Sequence, residues 1–98
     1  MRRPRVAGMT NADDRILEFL RNDGNGELVA NPAVIAVNIG FSPHTVRERV
    51  SPLKRSGLVE YHDESRGLYR ITDTGRDYLE GRLDDGEVAD IETELADD

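Results

Sequence analysis

Two proline-led helix starts, at Pro32 and Pro43, lie 11 residues apart with a glycine between them. Asn31 precedes the first proline and Ser42 the second, so each pair sets a capping side chain before a proline at the first helical position. There the missing N–H of proline costs nothing. Gly40 is a helix C-terminal glycine. A helix over 32–39 therefore ends just before another starts, and the second runs towards Ser56, where Gly57 stops it. Two helices joined by so tight a glycine turn make a helix-turn-helix.

The flanking segments extend this unit. Thr10 or Asn11 caps a helix running to about Asn22, with an apolar stripe of Ile16, Leu17, Phe19 and Leu20 and with Asp13 and Asp14 at its positive end. Residues 27–29 read as a short extended piece. Residues 58–61 and 68–71 are β-prone runs bridged by a polar turn over 62–67, a hairpin in which Val59, Tyr61, Tyr69 and Ile71 share the core face. Thr72 caps a last helix through Tyr78 and Leu79, and Gly75 allows close packing at its start. The resulting order, helix-strand-helix-helix-strand-strand-helix, is a mostly α fold with a small β-hairpin wing (α+β), a winged helix-turn-helix. Three segments follow: a flexible basic arm over 1–9, the winged domain over 10–83, and an acidic tail over 84–98.

Ile35-Ala36, Gly40, Ser42, Thr45-Val46, Val50, Leu53, Gly57-Leu58-Val59, the run from Tyr69-Arg70-Ile71-Thr72 to Asp73-Thr74-Gly75-Arg76, and Tyr78-Leu79 carry a resemblance. Over residues 12–83 the chain resembles archaeal winged helix-turn-helix transcriptional regulators, the haloarchaeal group related to the phage phiH repressor. The resemblance implies a DNA-binding regulator, with Thr45 on a phosphate and terminal helices pairing two copies.

At about 100° per residue, Val46, Val50 and Leu53 point to the core, which leaves His44, Glu48, Ser51 and Arg55 opposite, with Arg47 on the flank. A recognition helix offers such a face to base edges: Arg bridges guanine O6 and N7, Glu accepts from cytosine N4, and Ser bonds either way. His44, Arg47, Glu48 and Ser51 are therefore the expected base readers. Ser42, Thr45, Lys54, Arg55 and, at the wing tip, Arg66 are the expected backbone contacts. Arg49 falls at the core edge, suited to packing or an ion pair. Pro52 removes a hydrogen bond, and its spacing places it outward on a bent last turn.

Two apolar features remain. Val34 and Val37 occupy positions where a solvated helix would be polar, so they pack on the arm or meet a partner chain. In the tail, Val88, Ile91 and Leu95 recur at helical spacing, either as a dimerisation helix or as part of a solvated acidic tail.

Net charge is −7, with eight acids and no base in residues 84–98, so residues 1–83 carry +1. Twelve of the 13 basic residues are Arg, a bias that together with the acids matches a salt-adapted composition. Residues 42–71 carry +2, because Arg47, Arg49, Lys54, Arg55, Arg66 and Arg70 outnumber Glu48, Glu60, Asp63 and Glu64. That balance favours nucleic acid. With no Cys a thiolate zinc site is excluded, His44 and His62 cannot build a His-rich metal site alone, no catalytic constellation is legible, and no cofactor is expected. No apolar run reaches membrane-spanning length, and a cytoplasmic location is expected. The expected function is a sequence-specific double-stranded DNA-binding transcriptional regulator, a repressor working as a homodimer, with no effector ligand legible. The alternative is a winged-helix protein-interaction module that does not touch DNA.

Overall fold

A computed structural model describes residues 6–96. The first helix, α1 (Asn11–Arg21), starts with a capping box: Asp13 N–H donates to Thr10 Oγ1 at 3.2 Å, and Thr10 N–H donates back to Asp13 Oδ2 at 2.9 Å. Its apolar stripe buries Ile16, Leu17 and Leu20 completely. Asn31 and Ser42 cap α2 (Pro32–Ile39) and α3 (Pro43–Arg55) through the N–H groups of Val34 and Thr45. Between the two helices Gly40 sits at φ 78°, a left-handed backbone that any side chain would strain. Ile35, Ala36 and Ile39 of α2 meet Val46, Val50 and Leu53 of α3 over the α1 stripe, and this is the centre of the core.

Strands β1 (Val59–Asp63) and β2 (Leu68–Ile71) pair antiparallel with Val59 opposite Ile71, Glu60 opposite Arg70 and Tyr61 opposite Tyr69. The four residues expected on the core face are the ones turned inward, with Tyr61 only half covered. Asp63, not His62, stands opposite Leu68, so His62 is the extra residue of a β-bulge. The expected strand over 27–29 is corrected to a single bridge one residue later. Ala30 and Tyr69 exchange N–H···O bonds of 3.1 and 2.9 Å, and the Asn31 cap that follows stops the pairing from extending.

The helix α4 (Asp73–Glu80), capped by Thr72, packs on α1. Gly75 is obligatory there, since a Cβ would stand 2.3 Å from the Leu58 carbonyl oxygen.

The two ends of the described chain depart furthest from expectation. Residues 85–96 form the helix α5 (Asp85–Ala96), which packs on α3. Ile91 and Leu95 are buried in the common core and Val88 is packed against it. The apolar stripe of the tail is thus spent inside the chain and is not left for a partner, because α3 offers it a flank that would otherwise stay wet. Each buried side chain contributes roughly 1.5–3 kcal/mol. The expectation of a flexible arm is likewise corrected over residues 6–9. Val6 is buried, Ala7 N–H donates to Glu92 Oε2 at 2.7 Å, and Gly8 lies so close to Leu95 that a Cβ would approach it to 3.0 Å. Residues 1–5 lie outside the described residues. Pro52 is also corrected: it is buried, and α3 continues to Arg55. On the helical wheel Pro52 shares a flank with Arg49, the flank that α5 and the Gly8 carbonyl occupy, so its ring lies under cover rather than in solvent.

Candidate nucleic-acid interface

The outward face of α3 is what the core geometry leaves over. With Val46, Val50 and Leu53 fixed inward, His44, Arg47, Glu48, Ser51 and Arg55 are all exposed and share one surface of the helix. His44 Nε2 and Glu48 Oε1 stand 3.3 Å apart one turn along that surface. Arg55 Nη1 donates to Ser51 Oγ at 3.4 Å. Among the described residues Arg47 has no hydrogen bond or ion pair. Its guanidinium therefore projects with all its donors free, the condition for a bidentate contact to a planar acceptor pair.

At the start of α3, Ser42 Oγ accepts from Thr45 N–H at 3.1 Å and donates to Thr45 Oγ1 at 2.9 Å. The two hydroxyls are thus tied to each other at the end of the helix where free N–H groups and the dipole favour an anion.

The wing meets the far end of α3 through aromatic contacts. Lys54 Nζ lies over the Tyr61 ring, 5.0 Å from its centroid, and Tyr61 stacks on Tyr69 with centroids 4.8 Å apart. Burial, and then the hydrogen bond to Tyr61, push the Tyr69 phenol up to about 12. Lys54 thus braces the wing root as well as adding charge. At the tip, Asp63 Oδ1 accepts from Ser65 Oγ at 2.8 Å and from Arg66 N–H at 3.3 Å, which shapes the turn. The Ser65 hydroxyl, more than any other group, holds the Asp63 carboxyl below its usual range, with the Arg66 backbone and charge adding to it.

Two of the six bases counted towards nucleic acid are engaged elsewhere. Arg49 grips Asp13 with two bonds of 2.8 Å, from Nε to Oδ1 and from Nη2 to Oδ2, and Nη2 also donates to the Gly8 carbonyl at 3.3 Å. Asp13 is fully buried, so this pair joins α1, α3 and the N-terminal segment. Arg70 faces Glu60 at 3.3 Å and Glu27 at 3.9 Å on the outer side of the hairpin. The charge that stays outward is Arg47, Lys54, Arg55 and Arg66, beside Glu48, Asp63 and Glu64.

Sequence reading missed the Asp13–Arg49 clamp as a unit. Thr10 with an acid three residues on is legible as a capping box, but nothing local shows that the same carboxylate receives an arginine 36 positions later.

Among the described residues no group of three His, Asp or Glu could hold a metal ion, and no helix is long and apolar enough to cross a membrane. The winged helix-turn-helix phage repressor family matches the chain over residues 1–92. No curated protein and no solved structure matches it.

Proposed function

The chain belongs to the winged helix-turn-helix phage repressor family, DNA-binding regulatory domains rather than enzymes, and from this premise we propose that it is a sequence-specific repressor that sets α3 in the major groove of duplex DNA. The observation that carries this reading is the free guanidinium of Arg47 on a helix face that the fold leaves bare. Arg47 bridges guanine O6 and N7, Glu48 accepts from cytosine N4, and His44 and Ser51 read neighbouring edges. Ser42 and Thr45 bring the amino end of α3 to a phosphate. Lys54 and Arg55 at the far end of α3, and Arg66 on the wing, touch the backbone and set the register without reading sequence.

One helix spans too few base pairs to single out a site, so two copies act together on a palindrome with half-sites one helical turn apart, about 34 Å. With about four outward bases per copy, the log–log slope of affinity against salt is roughly −4 at most for one copy and roughly −7 at most for the pair.

Selection from a pool of genomic duplex fragments, repeated at several KCl concentrations, tests the proposal. Enrichment of fragments sharing an inverted repeat is the expected result. A pool that stays unenriched at every salt concentration overturns the reading and favours the interaction module.

A further inference from the structure

The chain holds five asparagines, and four of them are shielded from attack by the next backbone nitrogen. An asparagine loses its amide when the N–H nitrogen of the following residue closes on the side-chain carbonyl carbon and forms a five-membered imide. Asn31 precedes Pro32, which has no N–H to supply. Asn38 lies in α2 with its Nδ2 on the Val34 carbonyl at 2.8 Å, and the N–H that follows it is committed to the helix. Asn11 is held in the first turn of α1, and the next nitrogen belongs to the buried Ala12. Asn22 caps α1 with its Nδ2 on the Gly26 carbonyl at 2.8 Å, and the side chain of Asp23 crowds the nitrogen beside it.

Asn25 differs on every count. It is followed by Gly26, and glycine alone has no side chain to crowd the approaching nitrogen. Both residues are exposed. A Cβ built on Gly26 would meet nothing within 4 Å, so the surroundings of that nitrogen are open. Among the described residues neither the Gly26 N–H nor the Asn25 side-chain amide has a hydrogen-bond partner. The outer groups of the same two residues are held: Asn25 N–H donates to the Asn22 carbonyl at 2.9 Å, and the Gly26 carbonyl accepts from Asn22. The turn is thus tied at its edges and free at the reacting atoms.

We propose that Asn25 is a self-modifying site, converted in the folded chain to aspartyl and isoaspartyl forms without an enzyme. The Gly26 nitrogen gives its proton to water or hydroxide and bonds to the Asn25 side-chain carbonyl carbon. The bond from that carbon to the amide nitrogen breaks, and the released nitrogen takes up a proton and leaves as ammonia. Water then opens the imide at either carbonyl. One opening leaves an aspartyl residue, and the other routes the backbone through the side-chain methylene; no electrons are transferred. Either product adds one negative charge to a chain whose formal net charge is −7. The change falls two positions before Glu27, which pairs with Arg70 of β2 and Arg76 of α4. It therefore enters the segment that joins α1 to the wing.

Incubation of the full chain at neutral pH, followed by peptide mapping with mass spectrometry, tests the proposal. The peptide bearing Asn25 should give two separable products of equal mass, each heavier by the exchange of amide for acid. Isomerisation at the neighbouring Asp23-Gly24 leaves the mass unchanged and is not counted. Gly26→Ala should slow the conversion about tenfold or more, because a Cβ crowds the nitrogen, and this variant keeps the fold since Gly26 is not in the left-handed region. Because the reacting atoms are free in the fold, the rate in the native chain should lie within about fivefold of the rate in the urea-unfolded chain. A greater slowing by the fold, an unaltered rate in Gly26→Ala, or conversion of Asn11, Asn22 or Asn38 as fast as that of Asn25 overturns the proposal. None of these readouts involves DNA, so they stand or fall apart from the repressor reading.

Discussion

Arg47 and Arg49 are two residues apart on the same helix and carry the same charge, yet their environments are opposite. Arg49 reaches inward, where a fully buried carboxylate receives two of its N–H groups and the Gly8 carbonyl a third contact. Arg47 extends into solvent, and among the described residues it meets no partner. About 200° of helical rotation separates them. Charge content alone therefore does not identify a nucleic-acid surface; each base has to be asked what already occupies it. The inner flank of α3, with Arg49, Pro52 and α5, holds the helix in place, and the outer face, with Arg47, is left for function.

The largest effect belongs to the inner flank. Deleting residues 84–98 removes α5 and with it the buried Ile91 and Leu95, which should lower stability by roughly 3–6 kcal/mol at the usual burial increment. Thermal melting of the truncated chain checks this. Melting unchanged by the deletion would show that α5 does not hold the flank. Arg49→Ala comes next. It leaves the Asp13 carboxylate buried without its cation, a loss of about 3–5 kcal/mol by analogy with other broken buried pairs. Denaturant unfolding measures it, and Asp13→Asn on the Arg49→Ala background should recover part of the loss, which ties the effect to the pair.

The outer face should respond in the opposite way. Arg66→Ala should leave melting unaltered, weaken binding to all duplexes alike and reduce the salt slope by about 1 per copy, as the removal of a phosphate contact does. A change confined to one sequence would make Arg66 a reader instead.

The smallest effect concerns the wing root. The Tyr69 phenol is raised to about 12 from 10, so folding favours its protonated form. The stability this contributes is complete below pH 10 and is lost as pH rises through about 12. Following tyrosinate absorbance against pH should show one late-titrating ring, and Lys54→Ala, which removes the cation over Tyr61, should loosen the hairpin at neutral pH.

Most of the fold was legible because its boundaries are written in local chemistry. Asn31-Pro32, Gly40 and Ser42-Pro43 mark the helix-turn-helix to the residue, and alternation in the hairpin identifies its buried face. The ends of the chain were not legible, because Ala7 and Gly8 are held by Glu92, Leu95 and Arg49, more than 40 residues away in each case. The stripe of Val88, Ile91 and Leu95 showed a helix face without showing what it meets. The wheel of α3 alone places Pro52 outward, because the pattern of one helix does not show what packs on its flank. The outward face of α3 was readable in advance because three core residues, Val46, Val50 and Leu53, determine it by exclusion. The partner of Arg49 was not, since Asp13 comes from α1, and neither was the second partner of Arg70, Glu27, which comes from the segment before α2.

The central claim is that the outward face of α3 reads base pairs, and the ratio of affinities for a selected duplex and a random duplex of equal length tests it most directly. For Arg47→Ala this ratio should fall by about 1–3 kcal/mol, with the preference relaxed at one base position and melting unchanged. Equal losses on both duplexes would make Arg47 a backbone contact, and no loss on either would contradict the assignment of this face to DNA.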